Sequence, residues 1–267
     1  MKLRKIGIAV IASALACAFL LCSCSGSATT QSASNNIDYA DDEAMTIIAS
    51  GLEARWAITD SSTYEDTSEN LKKAINAELE KDSGLRDRQF EDSDMQEDVL
   101  AYLNILEDSI EVLDNCQYES NEYYEKWWDV YDQRTAQIKT LVDDYGLTVS
   151  ESNQGTLDDL IANGTAVKNN AERDDAINKL FEKAEFEKTD DGYGFYEYTA
   201  TIKNSTDFDF EDVSIVLALY DEEGVKAGET YASTNSWEKG EKVRFEGGSD
   251  INAEKVKASV EYYSVKE

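Results

Sequence analysis

The spacing of apolar residues divides the chain into a helical first part and a strand-forming last part. Over residues 38–185, apolar side chains recur at steps of three and four, the period of one face of an α-helix. After Asp190 the period becomes two, as in strands that bury one face. The pattern predicts an α+β fold with two domains: an antiparallel helical bundle at 38–185 and a small antiparallel β-sandwich at 190–267.

Four or five amphipathic helices are predicted in the bundle. Ser93 or Asp94 is expected to cap the third helix, because a side-chain oxygen at that position can accept a backbone N–H of the first turn. The last helix covers roughly residues 156–185. We expect the Asn163–Gly164 pair to break or kink it, since Asn-Gly is a typical turn dipeptide.

The fourth helix shows the most regular apolar spacing in the chain, and Gly146 follows it, as glycine commonly follows a helix. Its predicted face consists of seven residues spaced by three or four: Tyr124, Trp128, Tyr131, Thr135, Ile138, Val142 and Tyr145. Such a stripe most often belongs to the core and its rim. The alternative is that aromatic residues of this helix line a sugar or ligand pocket, the candidates being Tyr124, Trp127, Trp128 and Tyr131.

One segment of the strand-forming part carries a recognisable motif, in which apolar and more polar residues alternate before a glycine-containing turn. Leu217, Leu219, Tyr220, Asp221 and Gly224 resemble the signature of the FxLYD family, with Leu217 where the family has Phe. Members of that family are small Ig-like β-sandwich modules of bacterial surface proteins and lipoproteins. The resemblance implies the fold and the setting of this part of the chain, and it carries over no catalytic residues.

The first residues have the pattern of an export signal. Lys2, Arg4 and Lys5 precede an uncharged apolar run from residue 6 to residue 21. A membrane-spanning helix needs about 20 such residues, so a cleaved signal is favoured and an uncleaved spanning helix is the alternative. Both interpretations place the rest of the chain outside the cytoplasm.

The end of the apolar run resembles the lipobox of bacterial lipoproteins, which here consists of Leu21, Cys22, Ser23 and Cys24. The resemblance implies that residues 1–23 are removed and that Cys24 is acylated, with palmitate-type chains that hold the protein on the lipid bilayer. The Ser-rich residues 24–37 would then link the anchor to the folded part. The expected location is the extracytoplasmic face of a bacterial cell membrane.

The composition disfavours some classes of partner and excludes some classes of catalytic site. The chain has 56 acidic and 25 basic residues, a net charge of −31, which disfavours nucleic acids and anionic lipid headgroups as partners. It contains no histidine, which excludes Ser-His-Asp catalysis and His-based zinc sites. Once the signal is removed and Cys24 is acylated, Cys116 is the one thiol left, so no disulfide within the chain is expected. These observations favour a protein that is not an enzyme.

The acidity has two interpretations: a solvated exterior, which we favour, or recruitment of a basic partner or of divalent cations. One loop is a candidate for calcium because four carboxylates crowd it, namely Asp207, Asp209, Glu211 and Asp212. Their spacing does not match an EF-hand, and a solvated acidic turn is the favoured interpretation. No other cofactor and no metal cluster is predicted.

Taken as a whole, the sequence predicts a non-enzymatic, membrane-anchored surface lipoprotein. It would present a helical ectodomain and an Ig-like module for interactions with proteins or cell-envelope components. Two alternatives stay open: a solute- or glycan-binding lipoprotein, and a cell-wall-active hydrolase that uses paired carboxylates. With 56 acidic residues present, the sequence alone does not select a catalytic pair.

Overall fold

Five α-helices precede six β-strands in the computed structural model, which describes residues 38–266. The helices are α1 (Asp41–Thr59), α2 (Ser68–Asp82), α3 (Ser93–Asn115), α4 (Asn121–Tyr145) and α5 (Gln154–Phe181). The strands are β1 (Glu187–Asp190), β2 (Tyr196–Lys203), β3 (Phe210–Tyr220), β4 (Lys226–Trp237), β5 (Lys242–Ser249) and β6 (Lys255–Val265). The predicted α+β class is confirmed. The lipobox residues Leu21, Cys22, Ser23 and Cys24 lie outside the described residues.

Asp92, rather than Ser93 or Asp94, caps α3. Its carboxylate accepts hydrogen bonds from the backbone N–H groups of Asp94 at 2.9 Å and Met95 at 3.1 Å. The backbone of Asp92 is extended, which turns its side chain back toward the first turn, whereas Ser93 and Asp94 already belong to the helix. The predicted cap was wrong because several oxygen-bearing residues adjoin one another here.

The first four helices run antiparallel to their neighbours, as predicted. On α1 and α2, for example, Gly51 packs against Asp82 and Arg55 pairs with Glu78. A later residue of α1 thus contacts an earlier residue of α2, so the two helices run in opposite directions. The end of α4 also agrees with the prediction, since Gly146 ends it in the left-handed conformation with a φ of 71°.

α5 runs in roughly the same direction as α4, so the prediction of a fully antiparallel bundle was wrong. The Asn163 amide donates to the Tyr131 hydroxyl at 2.9 Å, and the Lys168 ammonium donates to the Thr140 hydroxyl at 2.6 Å. Residue numbers thus rise together on the two helices. The stretch after α4 permits this direction because residues 146–150 are not helical and can lead the chain back along the bundle.

Gly164 lies where α5 comes closest to α4. A Cβ atom there would come within 3.0 Å of the Thr135 carbonyl oxygen, nearer than real Cβ atoms approach a neighbour. α5 stays helical on both sides of this position, so the predicted break at Asn163–Gly164 was wrong. Glycine permits close approach of two backbones here rather than a turn.

Two antiparallel three-stranded sheets form the last part of the chain, in the strand orders β1-β2-β5 and β4-β3-β6. Both sheets contribute to one hydrophobic core, and the end of α5 completes it. The Phe181 ring lies 5.7 Å from the Trp237 ring and 5.2 Å from the Phe245 ring, measured between centroids. The beginning of α5 packs Leu157 into the core of the bundle, so this helix contributes to two cores.

Gly164→Ala should destabilise the protein by about 2 kcal/mol, because the added methyl group must push α5 away from α4. Gly155→Ala is the matched control, since it lies in the same helix and its Cβ would meet no atom within 4 Å. Urea unfolding followed by circular dichroism should show a lower midpoint for Gly164→Ala alone. Equal midpoints for the two variants would contradict the close contact between the helices.

Candidate functional site

The first half of α4 presents large aromatic side chains to solvent. Tyr124 and Trp128, predicted to lie on the core face, are 44% and 57% exposed. The residues that α4 does bury are Tyr123, Val130, Arg134, Thr135, Ile138 and Leu141. Of the other five residues on the predicted face, Thr135 and Ile138 are buried, and Tyr131, Val142 and Tyr145 pack half-buried against the bundle core. The prediction was wrong for Tyr124 and Trp128, because the buried stripe includes Arg134, which a search for apolar residues omits.

Three of the four candidate ligand residues form an aromatic patch, which consists of Tyr124, Trp128 and Tyr131. Tyr124 and Trp128 are exposed, whereas Tyr131 is half-buried and packs against the bundle core. The rings of Trp128 and Tyr131 meet edge to face, with centroids 5.5 Å apart. The Asn163 amide of α5 donates to the Tyr131 hydroxyl and fixes that ring. The fourth candidate, Trp127, stacks instead on Tyr123 at 5.8 Å and packs against the bundle core.

Three exposed carboxylates form an acidic ridge beside the aromatic patch: Glu125, Asp129 and Asp132. Residues three or four apart are neighbours on a helix surface, which places two of these carboxylates next to Trp128. Within the described part of the chain, no Lys or Arg pairs with the ridge. Lys126, the one basic residue in this half of α4, pairs with Glu122 at 2.7 Å. Burial and the charge of Asp129 raise the pKa of Asp132.

A groove of about 310 Å³ adjoins the ridge, between the end of α3 and the beginning of α4. Asp108, Glu111 and Asp129 line it, together with Lys126, Gln133 and the largely buried thiol of Cys116. Burial, followed by the charges of Glu111 and Glu107, raises the pKa of Asp108. The three carboxylates of the groove outnumber its one lysine, so the negatively charged surface continues from α4 onto α3.

In the loop that was the candidate calcium site, Lys239 binds two of the four carboxylates. Asp207 accepts a hydrogen bond from the Lys239 ammonium at 2.5 Å, and Asp209 accepts one from the Lys239 backbone N–H at 2.6 Å. Glu211 lies in β3, and Asp212 adopts a φ of 50° where the pairing of that strand is irregular. Within residues 38–266, no three His, Cys, Asp or Glu side chains are grouped to share a metal ion.

The residues that resemble the FxLYD signature build the hairpin between β3 and β4. Leu217 and Leu219 are fully buried, whereas Tyr220 alternates to the other face of the strand. Asp221 follows, and its side chain accepts two backbone N–H groups of the turn, at 3.0 Å and 2.8 Å. Gly224 completes the turn with a φ of 78°, a conformation that favours glycine.

A charged cluster inside the bundle escaped the sequence analysis. The Glu78 carboxylate is fully buried and accepts hydrogen bonds from Arg55 at 3.0 Å, from Arg134 at 3.0 Å and from the Tyr102 hydroxyl. Burial acts to raise the pKa of Glu78, but Arg134 and Arg55 outweigh it and hold that pKa below its usual value. A signal was present, since all three charged residues occupy positions where the helical spacing calls for an apolar residue.

Asp82, one turn beyond Glu78, is buried with no hydrogen-bond partner for either oxygen among the described residues. Its carboxyl packs against Gly51, where a Cβ atom would come within 3.0 Å of both oxygens. Burial, and then the charge of Glu78, raises the pKa of Asp82 to about 9, while Arg134 acts in the opposite direction. Asp82 is therefore protonated at neutral pH.

Comparison of the chain with protein-family models, with curated proteins and with solved structures found no match. Among residues 38–266, no helix combines the length and the apolar character needed to cross a membrane. What the protein does is therefore inferred from its own residues.

Asp82→Asn should remove a pH dependence of stability. The folded chain holds the Asp82 proton up to a pKa of about 9, whereas the unfolded chain releases it near 3.8. The free energy of unfolding should therefore fall as pH rises from about 4 to about 9, by roughly 1.4 kcal/mol per pH unit from this group. In urea unfolding at pH 8, the Asn variant should be the more stable protein.

Asp87→Asn is the control, because Asp87 is exposed in the short turn that follows α2. Its stability should change with pH as that of the unmodified chain does. If Asp82→Asn kept the full slope, Asp82 would be ionised in the folded protein and the assignment of its proton would be wrong.

Proposed function

We propose that the protein is a non-enzymatic lipoprotein, anchored through Cys24 to the extracytoplasmic face of a bacterial membrane, which displays its folded part to envelope partners. The observation that carries the proposal is the aromatic patch on α4. Trp128 is 57% exposed, although a tryptophan gains more than most residues from burial. Exposed aromatic side chains that adjoin one another mark interaction surfaces, and Trp and Tyr are the residues that contribute most at such surfaces.

The anchoring part of the proposal rests on the lipobox, because the charge of the chain opposes contact with a membrane. A chain with a net charge of −31 is repelled by anionic lipid headgroups, so charge alone would keep it away from a membrane. Two or more acyl chains at Cys24 would overcome that repulsion, since each buried CH₂ contributes about 0.8 kcal/mol.

An Ig-like module is the proposed identity of the last part of the chain. Two antiparallel sheets that share one core support this proposal, because Ig-like domains are sandwiches of that kind. The hairpin built from Leu217, Leu219 and Asp221 supports it further, since these are the residues that resemble the FxLYD signature. The module would add a second surface for contacts outside the cell.

A glycan-binding lipoprotein is the second candidate, and the same aromatic patch favours it. Exposed Trp and Tyr rings offer flat apolar faces on which a sugar ring can pack, with few polar groups needed to fix its orientation. The Asn163 amide beside Tyr131 is such a polar group. This candidate differs from the first in the chemistry of the partner and not in the location of the surface.

Cys24→Ala should abolish lipid attachment, because the thioether forms on that sulfur. Cys22→Ala is the matched control, since it keeps a small residue at its position of the lipobox. In cells grown with labelled palmitate, the unmodified chain and Cys22→Ala should carry label in the membrane fraction, and Cys24→Ala should carry none. Label lost in Cys22→Ala and kept in Cys24→Ala, or an unmodified chain free in the cytosol, would overturn the anchoring.

A further inference from the structure

We propose that the outer face of α4 binds a cationic peptide segment, with a Lys or Arg side chain over the aromatic patch and further cations on the acidic ridge. This inference rests on the proposed function, because it names the chemistry of the partner that the displayed surface would take. The partner is a basic stretch of another protein.

The aromatic patch lacks the cations that cover other tyrosines of this chain. Lys188 Nζ lies 5.8 Å from the centre of the Tyr196 ring, and Lys257 Nζ lies 5.1 Å from that of Tyr220. Among the described residues, no Lys or Arg takes such a position over Trp128. Tryptophan has the ring face that attracts a cation most strongly, so Trp128 offers the best such site to a partner.

The acidic ridge places carboxylates where the same cation would meet them. Glu125 lies three residues before Trp128 and Asp132 lies four residues after it, so their Cβ atoms are about 5–6 Å from that of Trp128. A Lys or Arg over the Trp128 ring would thus gain a ring face and a carboxylate together. A second cation, a few residues along the peptide, would find Asp129 on the other side of the ridge.

The groove beside the ridge extends the proposed binding surface from α4 onto α3. Asp129 lines that groove together with Asp108 and Glu111, so the carboxylates continue from α4 onto α3. They outnumber Lys126, the one cation in the lining, which is already paired with Glu122. Asp132 and Asp108 each have carboxylate neighbours, whose charges add to the larger effect of burial in raising their pKa values. A peptide with several basic residues would relieve this repulsion, whereas nucleic acid, anionic lipid and a second copy of the chain would increase it.

Charge also distinguishes this partner from a glycan. A neutral sugar would pack on Trp128 as well as a peptide would, but it would gain little from three carboxylates that have no Lys or Arg partner among the described residues. Its affinity would depend on the aromatic patch alone and would change little with salt. A cationic peptide would depend on both the patch and the ridge, and it would bind more weakly as salt screens them.

The test uses the full chain in neutral detergent, titrated with a fluorescent Lys/Arg-Gly peptide, with its Gln-for-Lys/Arg counterpart and with a neutral oligosaccharide. The ridge variant is Glu125→Gln/Asp129→Asn/Asp132→Asn. Its matched control is Glu222→Gln/Glu223→Gln/Asp250→Asn, three exposed acids of the last part, which changes the net charge equally. Trp128→Ala is compared with Tyr262→Ala, since Tyr262 is an exposed aromatic residue in β6.

At low salt, we expect the chain to bind the basic peptide, and to bind neither its Gln-for-Lys/Arg counterpart nor the oligosaccharide. The affinity for the basic peptide should fall about 10-fold in the ridge variant and about 3-fold in Trp128→Ala. In both control variants, the affinity for the peptide should stay within about 2-fold of that of the unmodified chain.

Equal weakening by the two triple variants would show a nonspecific charge effect and overturn the proposal. An unchanged affinity in Trp128→Ala would overturn it as well, and so would binding of the oligosaccharide in place of the peptide. If the peptide failed while Cys24 still carried lipid, the anchored function would stand and the chemistry assigned to the partner would be wrong.

Discussion

The Glu78 carboxylate is the point at which the four antiparallel helices converge. Moving a carboxylate out of water costs several kcal/mol, which is offset only when its oxygens are well paired. Here Arg55 of α1, Tyr102 of α3 and Arg134 of α4 all donate to this one residue of α2. Because every partner belongs to a different helix, a shift of any one of them would leave a buried charge without its partner. The cluster therefore specifies the relative positions of the helices more than it raises stability.

The same cluster decides which face α4 shows to solvent. Arg134 must point inward to reach Glu78, and Trp128 lies six residues earlier, roughly 120° away around the helix axis. Tyr124 lies on the same side as Trp128, because residues four apart are neighbours on a helix. The buried ion pairs and the exposed aromatic patch thus follow from one orientation of α4. A leucine in place of Arg134 would make no hydrogen bond to Glu78 and would therefore fix the orientation of α4 less strictly.

Local patterns in the sequence were enough for the order and type of most elements, and contacts between distant residues account for the errors. The glycine that ends α4 and the alternation in β3 act through nearby backbone geometry, which the sequence records directly. β1 precedes the predicted start of the β-sandwich at residue 190, because its four side chains are all exposed and no apolar alternation marks it. The direction of α5 and the buried position of Glu78 depend on partners far away in the chain. At the candidate surface, the sequence analysis selected Tyr124 and Trp128 but placed them on the core face of α4, and it did not predict the acidic ridge beside them.

α5 spans 28 residues and ends inside the core that the two sheets share. A fragment that began at β1 would lack Phe181 and Ile177. Trp237 and Phe245, on which Phe181 packs, would then lose that cover. Loss of one buried aromatic side chain typically destabilises a domain by about 3–5 kcal/mol. The part of this chain that can be transplanted intact is consequently the pair of sheets together with the final turns of the helix that precedes them.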